Sequence, residues 1–323
     1  MKGRIGLFQF GAALAVAALF GCGGGGGGGG PAGLPAVPST PISITASNIN
    51  QVTDASLAPA VGGTDAFGAS ISSADTAQSN PRVLLRAMQA VSNQAKKPRS
   101  SSGLSDSVES GPCAVSGSVT ITASGNSASI TFNNCSDIAG QSLNGTVSAT
   151  GIVDNPPNYA ANFSVDLTFT ETGSQTLRLV GNFSITENCP SGAGSCTSTF
   201  SGSSLGAAHG NEVWYVSSFF IQSVEQSGGF IDVTANYTVS SSDLNGSVQV
   251  ATDGANPIRF ASSAVYPQSG IINISGANNS RARITINSSN PADTNAVQVQ
   301  VDANGDAVFE TTTSYSWNQL ETI

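Results

Sequence analysis

Gly117–Phe132 reads GSVTITASGNSASITF. Val119 and Ile121 alternate with Thr120 and Thr122, a Ser-Gly-Asn-Ser stretch follows, and Ile130 and Phe132 resume the alternation. An apolar/polar period of two on each side of a short turn predicts a β-hairpin, because strand side chains point alternately to opposite faces. One face of this hairpin must be buried, while the Ser/Thr face is satisfied by water. Runs of the same kind recur: SLNGTVSATGIV, NFSVDLTFT, TLRLVGNFSIT, GFIDVTANYTV, LNGSVQVAT, GIINISG, RARITINS, AVQVQVD and AVFETTTS. They predict about 12 to 14 strands, many longer than usual. The expected class is mainly β, a large curved antiparallel sheet (open-barrel-like or a sandwich) with one amphipathic helix.

Within these runs Leu143-Asn-Gly-Thr-Val, Leu179-Val-Gly-Asn-Phe and Leu244-Asn-Gly-Ser-Val form a weak repeat without fixed period. Gly145, Gly181 and Gly246 are therefore expected at bulges or bends where long strands curl. The run EVWYVSSFFIQSV differs from the others. Strict alternation puts Val213, Tyr215, Phe219 and Ile221 on one face and Trp214, Val216 and Phe220 on the other. A strand apolar on both faces has to be covered on both. Few aromatics, 7% of the chain, and a Ser/Thr/Asn face on most strands argue against a membrane barrel.

The expected helix lies in SNPRVLLRAMQAVSNQAKKP. Asn80 suits an N-cap, Pro81 the first helical position, and Pro98 the end, predicting a helix over about residues 81–96. Leu84, Met88, Val91 and Ala95 fall on one face. Five basic residues, Arg82, Arg86, Lys96, Lys97 and Arg99, cluster here. The apolar face is narrow and lacks Trp and Phe. A helix covering the core with a solvated far side therefore fits better than one lying on a membrane surface.

The chain opens MKGRIGLFQFGAALAVAALFGCGGGGGGGGPAG. Lys2 and Arg4 precede an uncharged run of about 16 residues, the size of a signal-peptide core and short for a membrane span. Leu19-Phe20-Gly21-Cys22 resembles the bacterial lipobox, with Phe20 bulkier than the small residue usual there. The resemblance implies lipidation of Cys22, cleavage before it, and anchoring by acyl chains. Gly23 after the cysteine implies, on the same resemblance, the outer membrane; it leaves the periplasmic or cell-surface side undetermined. The expected organisation is a lipoprotein signal peptide at 1–21, a Gly/Pro-rich tether at 22–41, an N-terminal segment at 42–112, and an antiparallel β domain at 113–323.

The chain has five cysteines. Assigning Cys22 to lipid leaves Cys113, Cys135, Cys189 and Cys196, an even set suited to disulfides in an oxidising compartment. Proximity favours Cys113 with Cys135 and Cys189 with Cys196, although three connectivities are open. No CxxC or neighbouring histidine points to a cysteine metal site. A net charge of −9 with no basic stripe excludes nucleic acid as a natural partner.

Two stretches carry candidate chemistry. In Val301–Glu310, VDANGDAVFE, the residues Asp302, Asn304 and Asp306 stand at i, i+2 and i+4, with Glu310 four further on. Hard oxygen ligands at that spacing resemble the start of a calcium loop. Ala307 occupies the place of the usual glycine, and Thr313 that of the bidentate glutamate. Asn304-Gly305 between alternating valines reads equally as a two-residue hairpin turn, and the favoured reading is structural. His209, the only histidine, lies in GAAHGNEV. A serine hydrolase would need it as base beside a serine on a sharp turn, and serine is too abundant here for proximity to mean anything. Lone carboxylates such as Asp166 and Glu171 offer no pairing that sequence alone reveals. No catalytic residue is therefore assigned.

The order YPQSGIINISGANNSRARITI, then VQVQVDANGDAVFE, then Tyr315-Ser316-Trp317, resembles a β-rich lipoprotein family of Gram-negative bacteria of unknown function. That resemblance implies no activity. The function expected is non-enzymatic: an envelope protein that binds or scaffolds, with an apolar ligand between helix and sheet as one variant. A surface adhesin or glycan-binding module is the alternative, and a hydrolase the third reading.

Overall fold

The computed structural model describes residues 33–61, 107–136, 139–155, 158–172, 176–190, 195–226, 228–261 and 264–320. The expected signal peptide, Cys22, the glycine tract and the expected helix at 81–96 lie outside the described residues. Fifteen strands form one antiparallel sheet that does not close. The first seven are β1 (Ser107–Pro112), β2 (Ser116–Ser124), β3 (Ser127–Ser136), β4 (Gln141–Asn155), β5 (Asn158–Glu171), β6 (Leu177–Asn188) and β7 (Thr197–His209). Next come β8 (Glu212–Gln226), β9 (Phe230–Ser241), β10 (Gly246–Thr252) and β11 (Ile258–Ala261). The last four are β12 (Gly270–Ser275), β13 (Arg281–Ile286), β14 (Val297–Asp302) and β15 (Thr311–Tyr315). Each strand pairs with its successor, except that β11 leaves the path. It adds to the first half of β9, while β10 pairs the second half and passes on to β12.

The alternation predicted from sequence sets the two faces. On β6 Leu177, Leu179, Phe183 and Ile185 are buried and turn inward. The inner face is one cluster running from Val119 on β2 to Trp317 near the C-terminus. At its centre Phe163, Phe183, Phe200 and Phe219, on four successive strands, form a ladder with centroids 5.1, 4.9 and 4.9 Å apart. Offset or tilted ring contacts of this kind each add about 0.5–1.5 kcal/mol beyond area burial.

Bulges curl the long strands. The register shifts between Ser116 and Ser118, Phe132 and Cys135, Thr150 and Val153, Asn182 and Ser184, and Ser217 and Phe220. Gly145 takes φ +116°, and a Cβ there would run into the Asp166 carbonyl oxygen. Gly181 precedes the shift at Asn182. Gly246 serves differently: a side chain there would strike Ile42, which crosses directly over it.

The bulge in β8 also corrects the strict alternation expected for EVWYVSSFFIQSV. Ser218 takes φ +49° and adds one residue, so parity flips midway. Trp214, Val216, Phe219 and Ile221 are in the inner core, whereas Val213 and Tyr215 face outward beside exposed Phe220. Val213 and Tyr215 are covered by residues 33–42, which the sequence places mostly in a tether and the structure lays across the outer face. Gly33 receives a 2.7 Å hydrogen bond from Arg178, Tyr215 donates to the Pro35 carbonyl at 3.1 Å, and Val37 packs on Val213 and Tyr215. Further on, Ile42 donates to Ser247 and accepts from Ala277.

The chain then passes to the inner side. Ile44 is fully buried, and α1 (Ile49–Val61) lies against β9 with Ile49, Val52, Ala55 and Leu57 in the core. This helix falls in a segment whose sequence, INQVTDASLAPAV, shows no clear amphipathic stripe, since Thr53 and Ser56 are buried with the apolar residues. A short α2 (Trp317–Leu320) closes the described chain. There Trp317 stacks on Tyr266 at 5.1 Å and donates to the Ser288 carbonyl. Cys113 bonds Cys135 and Cys189 bonds Cys196, the pairing that proximity favours.

Candidate functional site

The outer face is built from the polar half of each alternation. Successive registers line up Ser129, Ser148, Ser164, Asn182, Ser204, Ser217, Thr238, Gln249 and Ser275 in one rung from β3 to β12. Two residues along β4, β5, β6 and β9, and three along the bulged β7 and β8, a second rung runs Thr150, Asn162, Ser184, Ser201, Phe220 and Asn236. Rung neighbours stand about 4.8 Å apart, the spacing between hydrogen-bonded strands. Ser184 donates to Asn162 at 2.6 Å, so part of the array is already oriented.

Between β4 and β7 the face dips into an open groove of about 300 Å³. Thr150, Asn162, Ser164, Asn182, Ser184 and Ser203 line it. Bulges at Gly151, which takes φ +63°, and at Gly202-Ser203 shape its two sides. Beside it Phe220, 47% exposed, stands opposite Ser201. The two rungs carry no charged residue. Charge is confined to their flanks, where Asp166 pairs with Arg178 at 3.1 Å and Asp232 with Arg259 at 2.6 Å. The groove offers hydroxyls and amides, which both donate and accept, beside one exposed ring.

The second candidate site is the connection from β14 to β15. It is not the two-residue turn favoured from sequence: Ala303 to Glu310 form an eight-residue loop, closed by the hydrogen bond from Glu310 N to Val301 O. Asp302, fully buried, accepts from Gly305 N at 2.7 Å and from Ala307 N at 2.9 Å. Asn304 accepts from Asp306 N, Asp306 from Val308 N, and Glu310 from Ala303 N. Carboxylate oxygens of Asp302, Asp306 and Glu310 lie within 4.8 Å of one another. Ala307 takes φ +70°, the left-handed conformation that the usual glycine of a calcium loop supplies. The loop thus brings together the residues singled out from sequence, Asn304 among them through its amide contact with Asp306.

The hydrolase reading finds no matching geometry among the described residues. Gly202-Ser203-Ser204-Leu205-Gly206 fits the pattern G-x-S-x-G, but it lies inside β7 and not on a strand-to-helix turn. Ser204 is a rung residue, and His209 ends the same strand five residues on, about 17 Å away at 3.4 Å per residue. Asp166 is engaged with Arg178.

The outer groove was missed from sequence because no single strand signals it. Each contributes one or two ordinary polar residues, and only the register assembles them. No family model matches the chain, and no curated protein or solved structure matches it.

Proposed function

We propose that this chain is a lipid-anchored envelope protein with a non-enzymatic binding role, and that its outer face takes a neutral glycan. The observation that carries the reading is the uncharged groove of Ser, Thr and Asn side chains between β4 and β7, with Phe220 exposed on the next strand, β8. A sugar presents hydroxyls around a ring whose C–H faces are apolar. It therefore suits a site that pairs hydroxyls and amides with an aromatic plane, in a surface free of charge. The rung spacing is close to the length of one extended hexose unit, so a chain of sugars laid across the strands meets equivalent groups at each step.

The apolar-ligand variant receives less support. Ile49, Val52, Ala55 and Leu57 of α1 fill the space against β9, and Tyr237 reaches the helix backbone directly. Lipidation at Cys22 and location at the outer membrane rest on the lipobox resemblance. Residues 33–37 contact the sheet on its outer face, the side that carries the groove.

Co-sedimentation of the mature domain with peptidoglycan and with lipopolysaccharide, followed by a neutral-glycan array, tests the reading. Binding that falls at least tenfold in Phe220→Ala and in Asn162→Ala, with folding intact by circular dichroism, is expected. Absence of glycan binding, or binding untouched by both variants, overturns it. Protease shaving of intact cells separates the two membrane faces: release of the domain means the cell surface.

A further inference from the structure

Along β6 the inner face is apolar except at one end. There Glu187 continues the inward row of Phe183 and Ile185 on β6, with only 3% of its surface exposed. Neither carboxylate oxygen has a hydrogen-bond partner. The register sets Ser198 of β7 opposite Glu187, and Ser223 of β8 opposite Ser198. Directly opposed residues on one face lie about 5 Å apart, within reach of a glutamate side chain. Glu225, two residues beyond Ser223, shares that face at the exposed lip. The Cys189–Cys196 disulfide joins β6 to β7 just outside, and Glu225 N donates to Cys196 O at 2.8 Å. Three strand ends are thereby held together around the four side chains.

A buried carboxylate that accepts no hydrogen bond is destabilising unless a proton or a cation neutralises it. A second carboxylate nearby increases the cost, and burial followed by the charge of Glu225 pushes Glu187 up to about 7. The protein's own described guanidinium groups are engaged elsewhere: Arg178 on Asp166, Arg259 on Asp232, and Arg283 over Phe309. Arg281 stands opposite Asp302 on another strand pair. What remains is a set of oxygen donors alone, two carboxylates and two serine hydroxyls with Tyr159 of β5 opposite Glu187, and an outlet at Glu225. Oxygen-only donor sets suit hard divalent cations, not soft or imidazole-seeking metals.

We propose that Glu187, Ser198, Ser223 and Glu225 form a site for a hard divalent cation, calcium, at the end of the inner face. The site is separate from the Asp302 loop and independent of glycan binding on the outer face. The cation replaces the proton on Glu187 and screens it from Glu225, so the two carboxylates remain ionised and the strand ends stay joined. No side chain of the outer groove takes part.

Calcium titration calorimetry on the full-length chain in detergent, at pH 8, tests this. Two backgrounds are used, the native sequence and Asp306→Asn, which weakens the other acidic loop. Glu187→Gln is expected to remove one equivalent of calcium in both backgrounds, and Glu225→Gln to weaken that equivalent at least tenfold. Circular dichroism verifies that both variants fold, and Glu225, being exposed, is the substitution least able to disturb packing. A native chain that takes up no calcium overturns the proposal. So does a stoichiometry and affinity unchanged by both glutamate substitutions. Glycan binding, measured in parallel, is expected to persist in both variants, so failure here and failure of the glycan reading are distinct results.

Discussion

The hydroxyl of Tyr237, fully buried on β9, donates to the main-chain carbonyl of Ser56 in α1, 181 residues earlier in the chain, at 2.5 Å. The contact ties the helix to the sheet inside the core, and burial drives the Tyr237 hydroxyl well above its ordinary pKa. A buried hydrogen bond contributes about 1 kcal/mol net, and the carbonyl it abandons adds a desolvation cost of about 1–3 kcal/mol. Tyr237→Phe is therefore expected to destabilise the fold by about 2 kcal/mol in urea denaturation without changing the slope of the transition. A change below about 0.3 kcal/mol would mean that the helix is held by its apolar side chains alone.

The Asp302 loop allows a test in the opposite direction. Ala307 pays for its φ of +70° through its Cβ, a cost of about 1 kcal/mol that glycine avoids. Ala307→Gly is expected to raise stability by about 0.5–1 kcal/mol in the absence of calcium. If the loop takes calcium, millimolar calcium raises the melting temperature of the native chain, and Asp306→Asn reduces that rise. A calcium-induced melting rise that Asp306→Asn leaves unchanged would leave the loop a purely structural turn.

The two disulfides differ in the length of chain they close, with sequence separations of 22 and 7. On the chain-entropy model the first stabilises by about 3 kcal/mol and the second by about 2 kcal/mol. Replacing Cys113 and Cys135 together by alanine is expected to cost more than the same change at Cys189 and Cys196. Equilibrium denaturation of the two double variants checks the order; a reversed order would point to native packing around Cys189 as the larger contribution.

The meander was legible in GSVTITASGNSASITF because each strand states its own parity, and neighbouring strands need only agree. What was not legible depends on partners distant in sequence. The residues after Gly33 read as tether because Pro35, Pro38 and Pro41 favour an extended chain, and nothing local reveals that Tyr215 and Val213 receive it. Ser218 looks like any strand serine, yet its single positive φ exchanges the faces of Phe219 and Phe220 and so exposes the ring beside the groove. The α1 helix lacks a clean apolar stripe because Thr53 and Ser56 share its buried side. Asp302, Asn304, Asp306 and Glu310 were legible as a set, since one loop holds all four. Glu187 was not, because its two serine neighbours come from strands ten or more residues away and only the register names them.

Glu187 also gives the molecule a pH dependence whose sign is fixed by its surroundings. Its carboxyl is raised from 4.5 to about 7, first by burial and then by the charge of Glu225, while its partner on β5 is Tyr159. An acid with a raised folded pKa contributes nothing unfavourable below about pH 4.5, where both folded and unfolded forms are protonated. Its penalty grows between about 4.5 and 7 and is complete above 7, where the folded carboxylate is charged and unpaired. At about 1.4 kcal/mol for each unit, the full penalty is on the order of 3 kcal/mol. In the presence of a chelator the native chain is therefore expected to lose stability from pH 5 to pH 8 relative to Glu187→Gln, whose neutral amide has no charge to bury. The variant's advantage at pH 8 should be about 1–2 kcal/mol, less than the full penalty because the amide is itself left partly unpaired. Calcium at pH 8 should close the gap by stabilising the native chain alone. Parallel stability curves for the two chains across this range would show that Glu187 is not desolvated in solution, and would remove both the pH effect and the reason for a cation beside it.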